Sequence, residues 1–125
     1  DQGCNMEETL YNTQGWAVAY IAYDDENTIY MWGGKPVAYL DGEDIYGFNG
    51  KHLGWYQDGI LRDHNGNIAG FNKNAASVAL AFEPFKAFKE FKPFRSFKEF
   101  APFKPFYHSS TSQYPLDAFL MRGAK

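Results

Sequence analysis

Ile45-Tyr46-Gly47-Phe48-Asn49-Gly50-Lys51-His52-Leu53-Gly54-Trp55 is the stretch that decides the fold. Asn49-Gly50 is flanked by short runs of β-branched and aromatic residues, a composition that favours strands. Asn-Gly between two such runs predicts a β-hairpin closed by a type I′ turn, whose two central residues need positive φ. The same pattern recurs on both sides. Leu10, Ile29, Ile45 and Leu61 align, and five residues later each is followed by glycine: Gly15, Gly34, Gly50 and Gly66. Nine residues on stands a small residue (Ala19, Ala38, Gly54, Gly70), and ten on an aromatic one (Tyr20, Tyr39, Trp55, Phe71). The second position is Tyr11, Tyr30 and Tyr46, with Arg62 the exception. The connectors Asp24-Asp25-Glu26-Asn27, Asp41-Gly42-Glu43-Asp44 and Gln57-Asp58-Gly59 are turn chemistry.

Four hairpin units give about eight short strands in up-and-down order. Closing them around a pseudo-fourfold axis removes the exposed sheet edges, and the small residues at the ninth offset let backbones crowd near that axis. The predicted fold class is all-β: four repeated β-hairpins in a shallow pseudo-fourfold barrel, followed by a polyproline-II-like Phe-x-x segment. The runs from Ile45 to Trp55 and from Asp63 to Phe71 resemble the bacterial fourfold β-flower proteins, over residues 10 to about 106. That resemblance implies four hairpin petals around a shallow barrel and a triplet tail of apolar residues with Lys and Pro. It implies no particular activity. A looser likeness to tubby-type barrels, which hold a hydrophobic segment and bind membranes, is analogy only.

The tail has its own grammar. Phenylalanine stands at every third residue: Phe82, Phe85, Phe88, Phe91, Phe94, Phe97, Phe100, Phe103 and Phe106, nine of the chain's twelve. Lys86, Lys89, Lys92, Arg95, Lys98 and Lys104 each follow a Phe. A period of three would alternate faces on a strand and spiral around an α-helix. Pro84, Pro93, Pro102 and Pro105 oppose a continuous helix as well. Polyproline II, with three residues per turn, would put the rings on one edge and the cations on another, as a rod of about 75 Å. Two other readings are open: a disordered biased segment, and short helices opened by the nine-residue spacing Pro84, Pro93, Pro102. An ordered Phe ladder is expected to be buried against something, and the ring could use it as extra apolar mass.

These boundaries divide the 125 residues into an extension (1–9), the four-hairpin ring (10–72), a linker (73–81), the Phe rod (82–106) and a C-terminal loop with a short turn (107–125). In that last part Leu116, Phe119 and Leu120 fall on one face of a helical turn ending at Gly123. Charge is unevenly placed. Residues 1–82 carry four Lys/Arg against eleven Asp/Glu, net −7, residues 83–106 are net +3, and residues 107–125 are net +1. An acidic head and a basic tail suit association between subunits, or docking of the tail on its own head. The lone Cys4 cannot form an intrachain disulfide, and no apolar run approaches transmembrane length. The start at Asp1 fits a removed secretory segment as well as a trimmed chain, so secreted, cell-surface and cytoplasmic locations are all open.

Enzymatic chemistry is not written in any motif. His52, His64 and His108 have no metal-ligand spacing with one another or with Cys4. Asp63-His64 reads as a petal residue pair near a turn rather than a catalytic dyad. Asp24-Asp25 and Asp41 with Asp44 could hold calcium but read as turns. No phosphate loop, nucleophile elbow or dinucleotide fingerprint occurs. The interleaved basic and aromatic residues resemble nucleic-acid stacking platforms, which the acidic head opposes. The reading is therefore a non-enzymatic structural or interaction protein, with no cofactor, no metal and no nucleic acid. Its candidate interaction residues are Phe85, Phe88, Phe91, Phe94, Phe97, Phe100 and Phe103 with Lys86, Lys89, Lys92, Arg95 and Lys98. The leading partner is a second copy, giving a homo-oligomer or polymer. An anionic membrane is the alternative, and a small-ligand or enzymatic ring using Trp32 and Trp55 the third.

Overall fold

Four hairpins in sequence call for a closed sheet, and the computed structural model, which describes residues 6–125, shows one. Cys4 and Asp1 lie outside the described residues. The strands are β1 (Glu8–Tyr11), β2 (Ala17–Ile21), β3 (Thr28–Met31), β4 (Pro36–Asp41), β5 (Asp44–Gly47), β6 (His52–Gln57), β7 (Ile60–Arg62) and β8 (Ile68–Phe71). Each pairs antiparallel with the next, and β1 closes on β8 through Tyr11 and Phe71, giving an eight-stranded all-β barrel. Inside it sit Leu10, Ala19, Ile21, Ile29, Ala38, Leu40, Ile45 and Leu61.

The tips differ from the type I′ expectation. Gly15, Gly34, Gly50 and Gly66 have φ of +93°, +99°, +89° and +81°, while Asn49 and Asn65 do not have positive φ. At each tip the glycine N–H donates three residues back, as Gly50 does to the Gly47 carbonyl at 2.9 Å, and Gly47 N–H meets the Lys51 carbonyl at 2.8 Å. This is a three-residue loop ending in a left-handed glycine bulge. Side-chain acceptors support the tip in three petals: Asn12 Oδ1 takes the N–H groups of Gln14 and Trp16, Asn49 Oδ1 that of Lys51, and Asp63 Oδ1 those of Asn65 and Asn67. The extra residue shifts the register at the same place in every petal, beside Leu10, Ile29, Ile45 and Leu61.

The small residues at the ninth offset leave room for an insert. A β-carbon on Gly70 would meet Leu116, and one on Gly54 would meet Phe119. Both belong to α1 (Leu116–Met121), whose Leu116, Phe119 and Leu120 are buried in the barrel core. The C-terminus thus supplies the apolar mass that a small ring lacks.

On the outer wall, aromatic residues pair across the seams between petals. Tyr20 stands opposite Tyr30 with ring centroids 5.6 Å apart, and Tyr39 opposite Tyr46 at 6.2 Å. Tyr11 and Phe71 face each other at the closing seam, and Trp55 faces Arg62 at the third. All of these aromatic side chains are buried. Residues 82–106 contain no helix and no strand, which removes the nine-residue helix reading.

Candidate functional site

A bulged glycine turns its carbonyl away from the hairpin ladder and leaves an acceptor to be satisfied. The tail satisfies all four. The backbone N–H groups of Ala81, Glu90, Glu99 and His108 donate to the carbonyls of Gly15, Gly34, Gly50 and Gly66 at 3.0, 2.9, 3.0 and 3.0 Å. Successive anchors are nine residues apart, so each petal takes one nine-residue unit of tail. Approach is close: a β-carbon at these four glycines would strike the carbonyl oxygens of Ala79, Phe88, Phe97 and Phe106. The tail therefore runs past the tips in petal order as a strap, rather than projecting as a straight rod.

Nine is three triplets, so every Phe keeps the same relation to the wall. All nine Phe of residues 82–106 point outward with 89–103% of their surface exposed. The expectation that the ladder adds apolar mass to its own ring is overturned, for the cations take the inward edge instead. Between the first two anchors lie Phe82, Phe85 and Phe88, between the next two Phe91, Phe94 and Phe97, and between the last two Phe100, Phe103 and Phe106.

The inward cations repeat with the same step. Lys86 and Lys89 grip the two oxygens of Glu7 at 2.6 and 2.7 Å and lie over the Tyr20 ring at 4.6 and 5.5 Å. Nine residues on, Arg95 reaches Glu26 at 3.4 Å and covers Tyr39 at 4.4 Å, while Lys98 meets Asp41 at 2.5 Å and covers Tyr46 at 5.5 Å. Lys104 pairs with Glu43, and Tyr107 accepts the Arg62 guanidinium over its face at 4.4 Å. Lys92 sits among Glu26 at 2.7 Å, Asp24 at 3.0 Å and Asp25 at 3.8 Å. Burial opposes its charge, yet Glu26 and Asp24 outweigh that and raise its pKa. Asp24 and Glu7 answer in kind: burial would raise them, but their hydrogen bonds and the lysines hold both below the usual carboxylate range. Asp24 and Asp41 are thus occupied by tail lysines.

Sequence reasoning missed one cluster. Asp44 Oδ1 lies 2.9 Å from His52 Nε2, and His52 Nδ1 lies 2.9 Å from His64 Nε2, with the two rings stacked at 14°. A carboxylate only accepts, so the tautomer that satisfies this chain has the His52 proton on Nε2 toward Asp44 and Nδ1 accepting from His64 Nε2. The tail joins here: Glu99 Oε2 accepts the His52 backbone N–H at 2.7 Å, and the Glu99 carbonyl accepts the Tyr46 hydroxyl at 2.8 Å. Burial, then His52 and Arg122, lower the His64 pKa. Asp63 is engaged elsewhere, by the Ser112 hydroxyl at 2.5 Å, so Asp63 and His64 form no dyad. The offsets carried part of the signal. His64 stands at the third offset, as Trp32 and Phe48 do, whose backbone N–H groups donate across their seams to the carbonyls of Val18 and Val37.

Among the described residues no group of three His, Cys, Asp or Glu is placed to hold a metal ion. No curated protein and no solved structure matches the chain. A family model described as a 4-fold beta flower protein matches residues 8–120, spanning all eight strands, the whole strap and nearly all of α1. The chain belongs to the 4-fold beta flower family.

Proposed function

We propose that the strap is a self-association surface, and that a second copy of this chain covers its phenylalanines. One observation carries the reading: nine rings, each at least 89% exposed, are held outward on a backbone anchored at four points. At about 150–250 Å² per aromatic side chain, nine give about 1,400–2,200 Å² of apolar surface. That exceeds the few hundred Å² usual on a soluble monomer and the roughly 800 Å² each partner contributes to a standard interface. The anchored backbone removes much of the ordering cost that a flexible apolar segment would carry into an interface. If the strap keeps the 3.1 Å rise of polyproline II, successive Phe stand about 9.3 Å apart. A ring from a second strap inserted midway would then lie at the short end of the 4.5–7 Å range that aromatic pairs favour.

Charge favours a protein partner over an anionic membrane. Lys86, Lys89, Lys92, Arg95, Lys98 and Lys104 are paired with ring carboxylates, while Glu83, Glu90 and Glu99 are exposed along the strap. Basic–apolar membrane binding needs free cations at the headgroups. The protein acts, on this reading, as a non-enzymatic building block. Flotation with neutral and with anionic liposomes, run on the intact protein, tests the choice. Failure to float with either is expected, and flotation that requires anionic lipid would transfer the role to a membrane.

A further inference from the structure

The four petals are near-copies, so a place filled beside one and open beside another carries information. Beside the second petal, the tail residue two past the Glu90 anchor is Lys92, and its ammonium lies between Glu26 and Asp24, 3.5 Å from the Thr28 hydroxyl. Glu26, Thr28 and Tyr30 stand three before, one before and one after Ile29. The first petal repeats this frame around Leu10 with Glu7, Thr9 and Tyr11. Two past its anchor Ala81, however, the tail carries Glu83, a carboxylate where its neighbour has an ammonium.

A cavity of about 340 Å³ opens at that place, lined by Glu8, Thr9, Tyr11, Tyr23, Asn72 and Glu83. Glu8 accepts the Tyr23 hydroxyl at 2.5 Å, the Asn72 amide at 2.8 Å and the Tyr56 hydroxyl. Burial would raise its pKa, but these three donors hold it below the usual range, so it is ionised at neutral pH. Glu83 accepts the Tyr11 hydroxyl at 2.8 Å. Among the described residues neither carboxylate is in an ion pair, although Lys73 also lines the cavity, and the lysines nearest Glu7 are already spent on it. Two carboxylates that no lysine pairs among the described residues, walled by tyrosine rings, suit a positive guest. The volume lies at the lower end of ligand pockets.

We propose that this cavity binds a primary alkylammonium group, the chemistry that Lys92 supplies from within the chain one petal further on. The test titrates the ¹⁵N-labelled full chain with n-butylammonium, with end-blocked Gly-Lys-Gly, and with n-butanol, reading the amides of Glu8, Thr9, Tyr11 and Glu83. A saturable shift with either ammonium probe and none with n-butanol is expected, the tighter probe telling free amine from lysine side chain. Glu83→Gln should weaken binding about tenfold, as expected for losing a hydrogen bond to a charged group. Glu83→Lys should place the chain's own ammonium in the cavity, abolish binding and raise the melting temperature above that of Glu83→Gln. Equal shifts with n-butanol, no saturation with either ammonium, or a Glu83→Lys variant that still binds would overturn the proposal.

Discussion

The backbone N–H of Glu99 donates to the Gly50 carbonyl at 3.0 Å, and the Glu99 carboxylate accepts the backbone N–H of His52 just beyond the same tip at 2.7 Å. With its carbonyl also accepting the Tyr46 hydroxyl at 2.8 Å, this one tail residue fixes the strap to both limbs of a petal. The carbonyl that holds the strap belongs to the residue whose φ is +89°, so tip geometry and strap are a single feature.

Gly50→Val and Gly66→Val should therefore damage two things at once. A β-branched residue at positive φ costs about 1–3 kcal/mol in backbone strain alone. Its side chain would also strike the carbonyls of Phe97 or Phe106 and lift the strap. Thermal and denaturant unfolding should show both variants less stable than the parent. Unchanged melting would refute the tip geometry.

Phe119 lies outside the repeat yet is fully buried against Gly54 in the barrel. Phe119→Ala should destabilise the whole barrel by about 3–5 kcal/mol, as for other buried aromatic truncations. A loss confined to the C-terminal turn, with the barrel's melting intact, would show that α1 is a surface appendage.

The cations should rank by how many carboxylates hold them. Lys92, with three acidic neighbours, is the strongest: Lys92→Gln should cost about 1 kcal/mol after allowance for solvent screening. Lys98→Gln, which loses only Asp41 at the surface, should cost less. Parallel denaturation curves decide the order, and equal losses would contradict it.

Stability should fall at both ends of the pH scale. Glu7, Glu8 and Asp24 are depressed below unfolded values of 4.5, 4.5 and 3.8, so the native state binds fewer protons there. Their contribution is present above those values and is lost as pH falls through the lower native ones. His64, depressed from 6.5, adds loss below that point with the same sign. Tyr11, pushed up to about 12 by burial and then by Glu83, holds its proton longer when folded, so its contribution fades as pH rises from 10.0 toward 12. Melting temperature against pH should form a plateau with both shoulders, and a flat acid limb would contradict the paired carboxylates.

The fold was legible because its signal is local. The types at Leu10, Gly15, Ala19 and Tyr20 recur at fixed offsets, and eight short strands in hairpin order close in few ways. The tip type was not legible from Asn49-Gly50, since that pair serves a two-residue turn and equally a three-residue loop in which only the glycine is left-handed. Spacing also showed the nine-residue step of Pro84, Pro93 and Pro102, but not its meaning, which needs the distance between neighbouring tips. A three-residue period separates rings from cations without saying which edge faces the protein. The acidic connectors at Asp24, Glu26, Asp41 and Glu43 decide that by charge. His52, His64 and Glu99 meet only through seam pairing and strap register together, so neither pattern alone reveals them.

The central claim is that the outward phenylalanines join copies of this chain. Native mass by light scattering on size-exclusion chromatography tests it most directly, comparing the intact protein with a Phe91→Ser, Phe94→Ser, Phe97→Ser variant. Those three rings form the middle span of the strap and touch no wall residue through their exposed faces. Each buried Phe contributes about 1.5–3 kcal/mol, so removing three would weaken an interface by up to about 9 kcal/mol. The expected result is a parent above the 14.3 kDa monomer mass and a variant at that mass with parental circular dichroism. A parent that runs as a monomer at high concentration, or a variant that keeps the parental mass, would contradict the account.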